Sequence, residues 1–152
     1  MRVIVGGTFS PLHDGHKALI EQAFNMAGPD GSVLIGLTTD SFAGRKYHPI
    51  APFGERLDKL NSFISESGWK TDFLIEPLSD KYGPSINSDY DLIVVSDETY
   101  PVAGEINTIR TERGLPELEV CRISCVLASD GKIISSTRIL RGEIDEHGMP
   151  VR

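Results

Sequence analysis

The chain begins with an apolar run, Val3-Ile4-Val5, that breaks at two glycines, Gly6-Gly7, and then passes through Thr8-Phe9-Ser10-Pro11-Leu12 into His13-Asp14-Gly15-His16. A short apolar run, a glycine turn and an amphipathic segment read as strand, loop and helix N-terminus. In α/β proteins that junction binds phosphates, because the helix dipole and the free N–H groups of the first turn both face an anion there.

The spacing excludes two common phosphate loops. No G-x-x-x-x-G-K-[ST] is present, and no G-x-G-x-x-G. Two imidazoles, His13 and His16, stand three residues apart at the helix start instead. Residues at i and i+3 share a helix face, so both can reach one ligand above the N-terminus. Half of a zinc site would also use such a pair, but no carboxylate or cysteine stands nearby at ligand spacing. Two unrelated histidines are the bland alternative. The glycine pair and the strand-to-helix context favour a phosphate site.

The rest of the chain repeats the alternation. Helical periodicity runs from Gly15 to Ala27 and stops at Gly28-Pro29. Ser32 to Leu37 is a nearly continuous apolar run, as expected of a strand covered on both faces. A polar loop is expected from Ser41 to Pro49. A helix from Pro52 to about Glu66 comes next, with Leu57, Leu60, Phe63 and Ile64 on one face. Strands are expected at Lys70–Pro77, Leu92–Val95 and Leu118–Leu127, and a helix up to about Arg113. These elements predict a single domain over residues 1–152: an α/β, Rossmann-like, doubly wound parallel five-stranded sheet with helices on both faces. Ligands of such sheets bind beyond the carboxyl ends of the strands where strand order reverses. The segments after three strands, around Gly6–His16, Thr38–Lys46 and Ser96–Thr99, are therefore candidates for one crevice.

Composition narrows the partners. Hydrophobic residues make up 39% and charged residues 24% of 152, which suits a globular protein with a real core. A net charge of −7 argues against a nucleic-acid surface, which is normally basic. No apolar run approaches a membrane span and no signal peptide is evident, so a cytoplasmic protein without membrane partners is expected. Cys121 and Cys125 would share a strand face, too far apart for an easy disulfide, and read as buried thiols in a reducing compartment. In an acidic chain the cation clusters His13/His16/Lys17, Arg45/Lys46/His48 and Arg138/Arg141 are candidate anion holders.

A second motif lies at Ile134-Ser135-Ser136-Thr137-Arg138-Ile139. Ser and Thr favour an N-cap, but Arg138 stands where a capping box would have Glu or Gln. A cation at a helix N-terminus is unfavourable by itself and makes sense if an external anion occupies that end.

Together these segments resemble the two signatures of the HIGH-type nucleotidyltransferase superfamily. G-G-T-F-S-P-L-H-D-G-H matches G-x-F-D-x-x-H-x-G-H, with Ser10 in place of the usual Asp, and Ile134–Arg141 matches I-S-S-T-x-x-R. The stretch Val94-Val95-Ser96-Asp97-Glu98-Thr99, with Ile106-Asn107 and Arg110 after it, is similar to V-V-S-x-E-T…I-N-x-I-R of the archaeal/eukaryotic-type phosphopantetheine adenylyltransferases. Gly36-Leu37-Thr38-Thr39-Asp40 and Arg141-Gly142-Glu143-Ile144-Asp145 extend the likeness to nearly the whole chain.

The resemblance implies transfer of the adenylyl group of ATP to 4′-phosphopantetheine, giving dephospho-coenzyme A and pyrophosphate, with Mg²⁺ accompanying ATP. It implies that Gly7, Thr8 and Phe9 line the phosphate loop, that His13 and His16 hold ATP phosphates, and that Lys46 bridges donor and acceptor phosphates. Asp97, Glu98 and Thr99 would border the nucleoside, and Ser135, Ser136, Thr137 and Arg138 would cap the β,γ-phosphates. Thr8, Lys46 and Arg110 would serve the acceptor. A cytidylyltransferase acting on a small phosphorylated alcohol and a non-catalytic nucleotide-binding regulatory module are the alternatives. The first usually shows R-T-x-G before I-S-T-T, where this chain has Ser129-Asp130-Gly131-Lys132. The second is disfavoured by the intact His13, His16 and Ser136.

Overall fold

The computed structural model describes residues 1–10, 12–43, 50–123, 129, 134, 139 and 141–150. Its elements are β1 (Arg2–Gly7), α1 (Asp14–Ala27), β2 (Ser32–Thr38), α2 (Asp40–Ala43), α3 (Phe53–Ser67), β3 (Asp72–Leu78), β4 (Leu92–Val95), α4 (Tyr100–Glu112) and β5 (Glu119–Arg122), with a 3₁₀ turn at Gly83–Ile86. The five strands form one sheet in the order β3-β2-β1-β4-β5, and every pairing is parallel. The expected doubly wound sheet is present. Pro77, which lacks a ladder donor, lies in β3, and the strand order puts β3 at an edge.

The chain winds outward through β2 and β3, then returns to the other side of β1 for β4 and β5. Strand order thus reverses between β1 and β4, which places the crevice above Gly6–Gly7 and Val95. Alternate residues face opposite sides. Val3, Val5, Val33, Ile35, Leu37, Leu92 and Val94 pack against Leu19, Ile20, Ala23 and Phe24 of α1 and Leu60 and Ile64 of α3. Ile4, Leu34, Ile93 and Val95 pack instead against Ala103 and Ile106 of α4 and against Leu118.

Two local expectations change. The loop expected from Ser41 starts with the short helix α2, whose first turn is fastened by Thr39 Oγ1 accepting the Phe42 N–H at 3.2 Å. Cys121 is half-buried rather than buried, with the Gln22 amide donating to its sulfur at 3.6 Å. Cys125 lies outside the described residues.

Candidate active site

The turn after β1 is shaped by one ring. Phe9 is buried and has a φ of +52°, a conformation that L-residues rarely adopt. Its ring tucks under Gly7, where a Cβ would come within 3.1–3.3 Å of three ring atoms. The glycine therefore makes room for the phenylalanine, and the loop backbone bends sharply over it. Such a conformation costs of order 1–3 kcal/mol and persists only where its surroundings impose it.

His13 is the N-cap of α1. Its Nδ1 accepts from the N–H of Gly15 at 3.0 Å and, more weakly, of His16 at 3.4 Å. Gly15 permits this, since a Cβ there would lie 2.8 Å from Cε1 of the same ring. Burial pushes the imidazole down to about 4, against a smaller upward pull from Asp14. The ring is therefore neutral near pH 7. With Nδ1 accepting, the bonding pattern assigns its one proton to Nε2. His16 stacks on it, centroids 3.7 Å apart and planes 17° from parallel, and meets the Phe9 ring edge-on at 5.2 Å.

This corrects one expectation. The first N–H groups of α1 are not the anion's donors. Asp14 N donates to the Glu146 carbonyl at 3.0 Å, and the next two N–H groups are taken by the His13 ring. The positive end of the helix reaches the site through the imidazole. Donors that bond Nδ1 draw electron density from the ring and strengthen Nε2–H as a donor.

Beside the loop lies a largely apolar cavity of about 330 Å³. Its walls include Ile4, Leu34, Leu78, Ile93 and Ile106, and it reaches Gly7, Thr8, Thr38 and Thr99. Its floor is low because Gly6 and Gly36 are partners across β1 and β2. Lys81 and Tyr82 line it too, and both contact Glu105: Lys81 Nζ at 2.9 Å and the Tyr82 hydroxyl at 3.2 Å.

Gly7, Thr8, Phe9, His13 and His16 thus converge at the end of β1, and Thr99 faces the adjoining cavity. Asp97 and Glu98 occupy an exposed turn, where Asp97 accepts from Arg122 Nε at 2.6 Å. Thr99 Oγ1 accepts the Ser96 N–H at 3.1 Å and shapes that turn. Lys46, Ser135, Ser136, Thr137 and Arg138 lie outside the described residues. The acceptor role expected of Arg110 is corrected. Its guanidinium is buried under α4, with Nε donating to the Pro116 carbonyl and Nη1 to those of Ser85 and Ser88, each at 2.8 Å. It fastens three turns and does not line the cavity.

Ser10 keeps the loop attached without a carboxylate, its hydroxyl accepting the Ala51 N–H at 3.2 Å. Arg56 is the residue that sequence reasoning missed. It is 1% exposed, and its guanidinium reaches the Thr8 carbonyl, the Thr38 hydroxyl, Asp40 and the Ala51 carbonyl. The signal was available. Arg56, Leu60 and Ile64 keep the i, i+4, i+8 spacing, so an arginine sits on the buried stripe of α3.

A Cytidylyltransferase-like family model matches residues 4–142. A phosphopantetheine adenylyltransferase of Methanosarcina acetivorans is 50% identical over 97% of this chain and 94% of its own length. Another, of Archaeoglobus fulgidus, is 39% identical over 97% of this chain and 98% of its own length. Among solved structures, a protein of unknown function from Archaeoglobus fulgidus matches with a TM-score of 0.73 and 34% identity, over 81% of this chain and 89% of that one.

Proposed function

The chain belongs to the cytidylyltransferase-like family and, within it, to the phosphopantetheine adenylyltransferases, and from that premise we propose how its own residues transfer the adenylyl group of ATP to 4′-phosphopantetheine. An oxygen of the acceptor phosphate attacks the α-phosphorus of ATP. The new P–O bond forms as the bond from that phosphorus to the β-bridging oxygen breaks, and this oxygen leaves with pyrophosphate. The nucleophile is already ionised near neutral pH, so no side chain has to remove a proton. The protein's work is in-line alignment and stabilisation of charge spread over phosphoryl oxygens.

The observation that carries this reading is the buried, neutral His13 with Nε2–H as its donor, stacked on His16 at the end of β1. A preorganised neutral donor in a poorly solvated site stabilises developing charge without reorganising. In this reading His16 contacts the transition state, and Lys46 and Ser135–Arg138 complete the phosphate contacts on the strength of their motif match. The pantetheine arm, with its gem-dimethyl group and two amides, lies in the apolar cavity. That space falls within the range of pockets that receive small ligands, about 300–1,000 Å³. A chain lying there with its phosphate toward Thr8 would present that phosphate at the loop.

Among the described residues, no group of three His, Cys, Asp or Glu side chains could hold a metal ion. In this reading Mg²⁺ enters as the counter-ion of ATP. Nor is any helix among them long and apolar enough to cross a membrane. The deciding experiment measures pyrophosphate release by the purified protein with Mg²⁺, 4′-phosphopantetheine and ATP, CTP or GTP in turn. ATP should be used far better than the others. Preference for CTP with a phosphoalcohol acceptor would replace the reading with cytidylyl transfer.

A further inference from the structure

Arg56 is among the largest fully buried side chains, and it carries a charge. Asp40, its carboxylate partner at 2.9 Å, has a side chain 64% exposed, so the ion pair is half in water. The other three acceptors are uncharged. Nε donates to the Ala51 carbonyl at 2.7 Å, and Nη1 donates to the Thr8 carbonyl and to Thr38 Oγ1, each at 3.2 Å. A buried ion pair is weak evidence for stability, since desolvation offsets most of its attraction. A hydrocarbon of similar volume would fill this space with less desolvation. What the guanidinium adds is its fork, which fastens three segments at once: the loop after β1, the end of β2 with Asp40, and the lead-in to α3.

The contact with Thr38 has a direction. Thr38 Oγ1 accepts from Arg56 and donates its own proton to Thr8 Oγ1, 2.9 Å away. Thr8 Oγ1 therefore accepts, and its hydroxyl proton must point elsewhere. Thr8 lines the cavity at its phosphate-loop end. The same arginine holds the carbonyl of the Thr8–Phe9 peptide, which leads into the residue with φ of +52°. Ser10 and Arg56 between them also take up both backbone groups of Ala51.

We propose that Arg56 is a positioning residue for adenylyl transfer, acting through Thr38 to orient the Thr8 hydroxyl as a donor toward the reacting phosphoryl oxygens. The inference rests on the adenylyltransferase reading above. A chain of hydrogen bonds that starts from a cation is polarised along its length, so Thr8 becomes a stronger donor than an isolated threonine. The effect belongs to the transition state, where charge on those oxygens shifts most, and should appear in kcat more than in ATP binding.

The test compares Thr38→Val, Thr38→Ser and Arg56→Lys with the unaltered chain, in turnover per folded molecule and in ATP affinity by calorimetry. Valine keeps the shape of threonine and breaks the relay; serine keeps the relay. Thr38→Val should lower kcat about tenfold, with ATP affinity within about twofold of the parent. Thr38→Ser should stay within about twofold of the parental kcat. Arg56→Lys, with a point charge in place of the fork, should lower kcat at least as far as Thr38→Val. The double variant should then be no worse than the poorer single one. Parental kcat in Thr38→Val would overturn the proposal, as would a Thr38→Ser as poor as the valine variant. A loss that only tracks the unfolded fraction would do the same. If Arg56→Lys fails to fold, the Thr38 pair decides alone. An unaltered chain with no turnover of ATP and 4′-phosphopantetheine would sink the functional reading and this inference together. An active chain with an indifferent Thr38→Val would sink the inference only.

Discussion

The two faces of the sheet are made from alternate residues of the same strands, yet they end in opposite conditions. On the side of α1 and α3 the inward positions of β1 and β2 are Val3, Val5, Val33, Ile35 and Leu37, all essentially closed to solvent. On the side of α4 the corresponding positions are Ile4, Gly6, Leu34 and Gly36, and above the two paired glycines lies a cavity. Side chains of period two let one strand serve both ends. One parity builds stability through close packing. The other parity leaves out two side chains and makes a place for a ligand. A substitution on the first face should therefore act on folding, and one on the second on binding.

The largest expected effect is on the filled face. Ile35→Ala leaves a void under α1 and α3, so urea unfolding should show a loss of about 2–5 kcal/mol. A loss below about 1 kcal/mol would mean that this face is loosely packed and the contrast false. Comparable in free energy, but in a different measurement, is His16→Ala. It should reduce kcat by about 10²–10³-fold, as loss of one aimed donor does, while the melting temperature barely moves. Retained turnover would make the stacked pair structural.

Gly36→Ala tests the open face. The added carbon would meet Leu78 at 3.5 Å, an ordinary contact, so the fold should stand. Stability should hold or rise by roughly 0.5–1 kcal/mol, because glycine weakens a strand interior. The KM for the acceptor should rise at least about tenfold while that for ATP stays level. An unchanged acceptor KM would remove the pantetheine arm from the cavity.

Two histidines give the smallest effects on stability, with opposite signs. His13 has a folded pKa of about 4, below its ordinary value of 6.5. The unfolded chain therefore binds more protons in that interval, and His13 makes stability fall as pH drops from 6.5 toward 4. His13→Asn keeps an N-cap acceptor and should flatten that slope while losing most turnover. A variant with parental turnover would show that His13 acts only as a cap. His147, in the C-terminal turn, is raised by its 2.8 Å contact with Asp14. Its contribution is complete below its ordinary value of 6.5 and disappears as pH rises through the folded value. The stability difference between the parent and His147→Gln should be small, weakened by salt, present at about pH 5.5 and absent at about pH 10. A difference independent of pH would assign the contact to shape rather than charge.

Much of the fold was legible because local chemistry punctuates this chain clearly. Gly28 and Gly68 end α1 and α3 where the periodicity stops, and β4 occupies the expected Leu92–Val95. His13 and His16 were identifiable as a pair by spacing, but the cap formed by His13 was not. Histidine is an uncommon cap, and only the packed turn shows Gly15 yielding space to its ring. Arg110 misled because a motif match names a residue without saying which way it points. Its burial under α4 is decided by Ser85, Ser88 and Pro116, each distant in sequence or held in a turn.

By itself the sequence determined what near neighbours along the chain dictate: where most strands and helices begin and end, the alternation that makes a parallel sheet, and the turn that Gly6 and Gly7 mark. It also determined the family, since two motifs in order over most of the chain identify one. The tertiary structure decided whatever depends on residues brought together from afar. It put Gly6 opposite Gly36 and so made a cavity, buried His13 until its charge was excluded, and turned Arg56 from a helix-face cation into the tie between Thr8, Thr38, Asp40 and Ala51. The physical reason is range. Backbone preferences act over a few residues, whereas desolvation and hydrogen-bond direction exist only after distant segments have closed on one another.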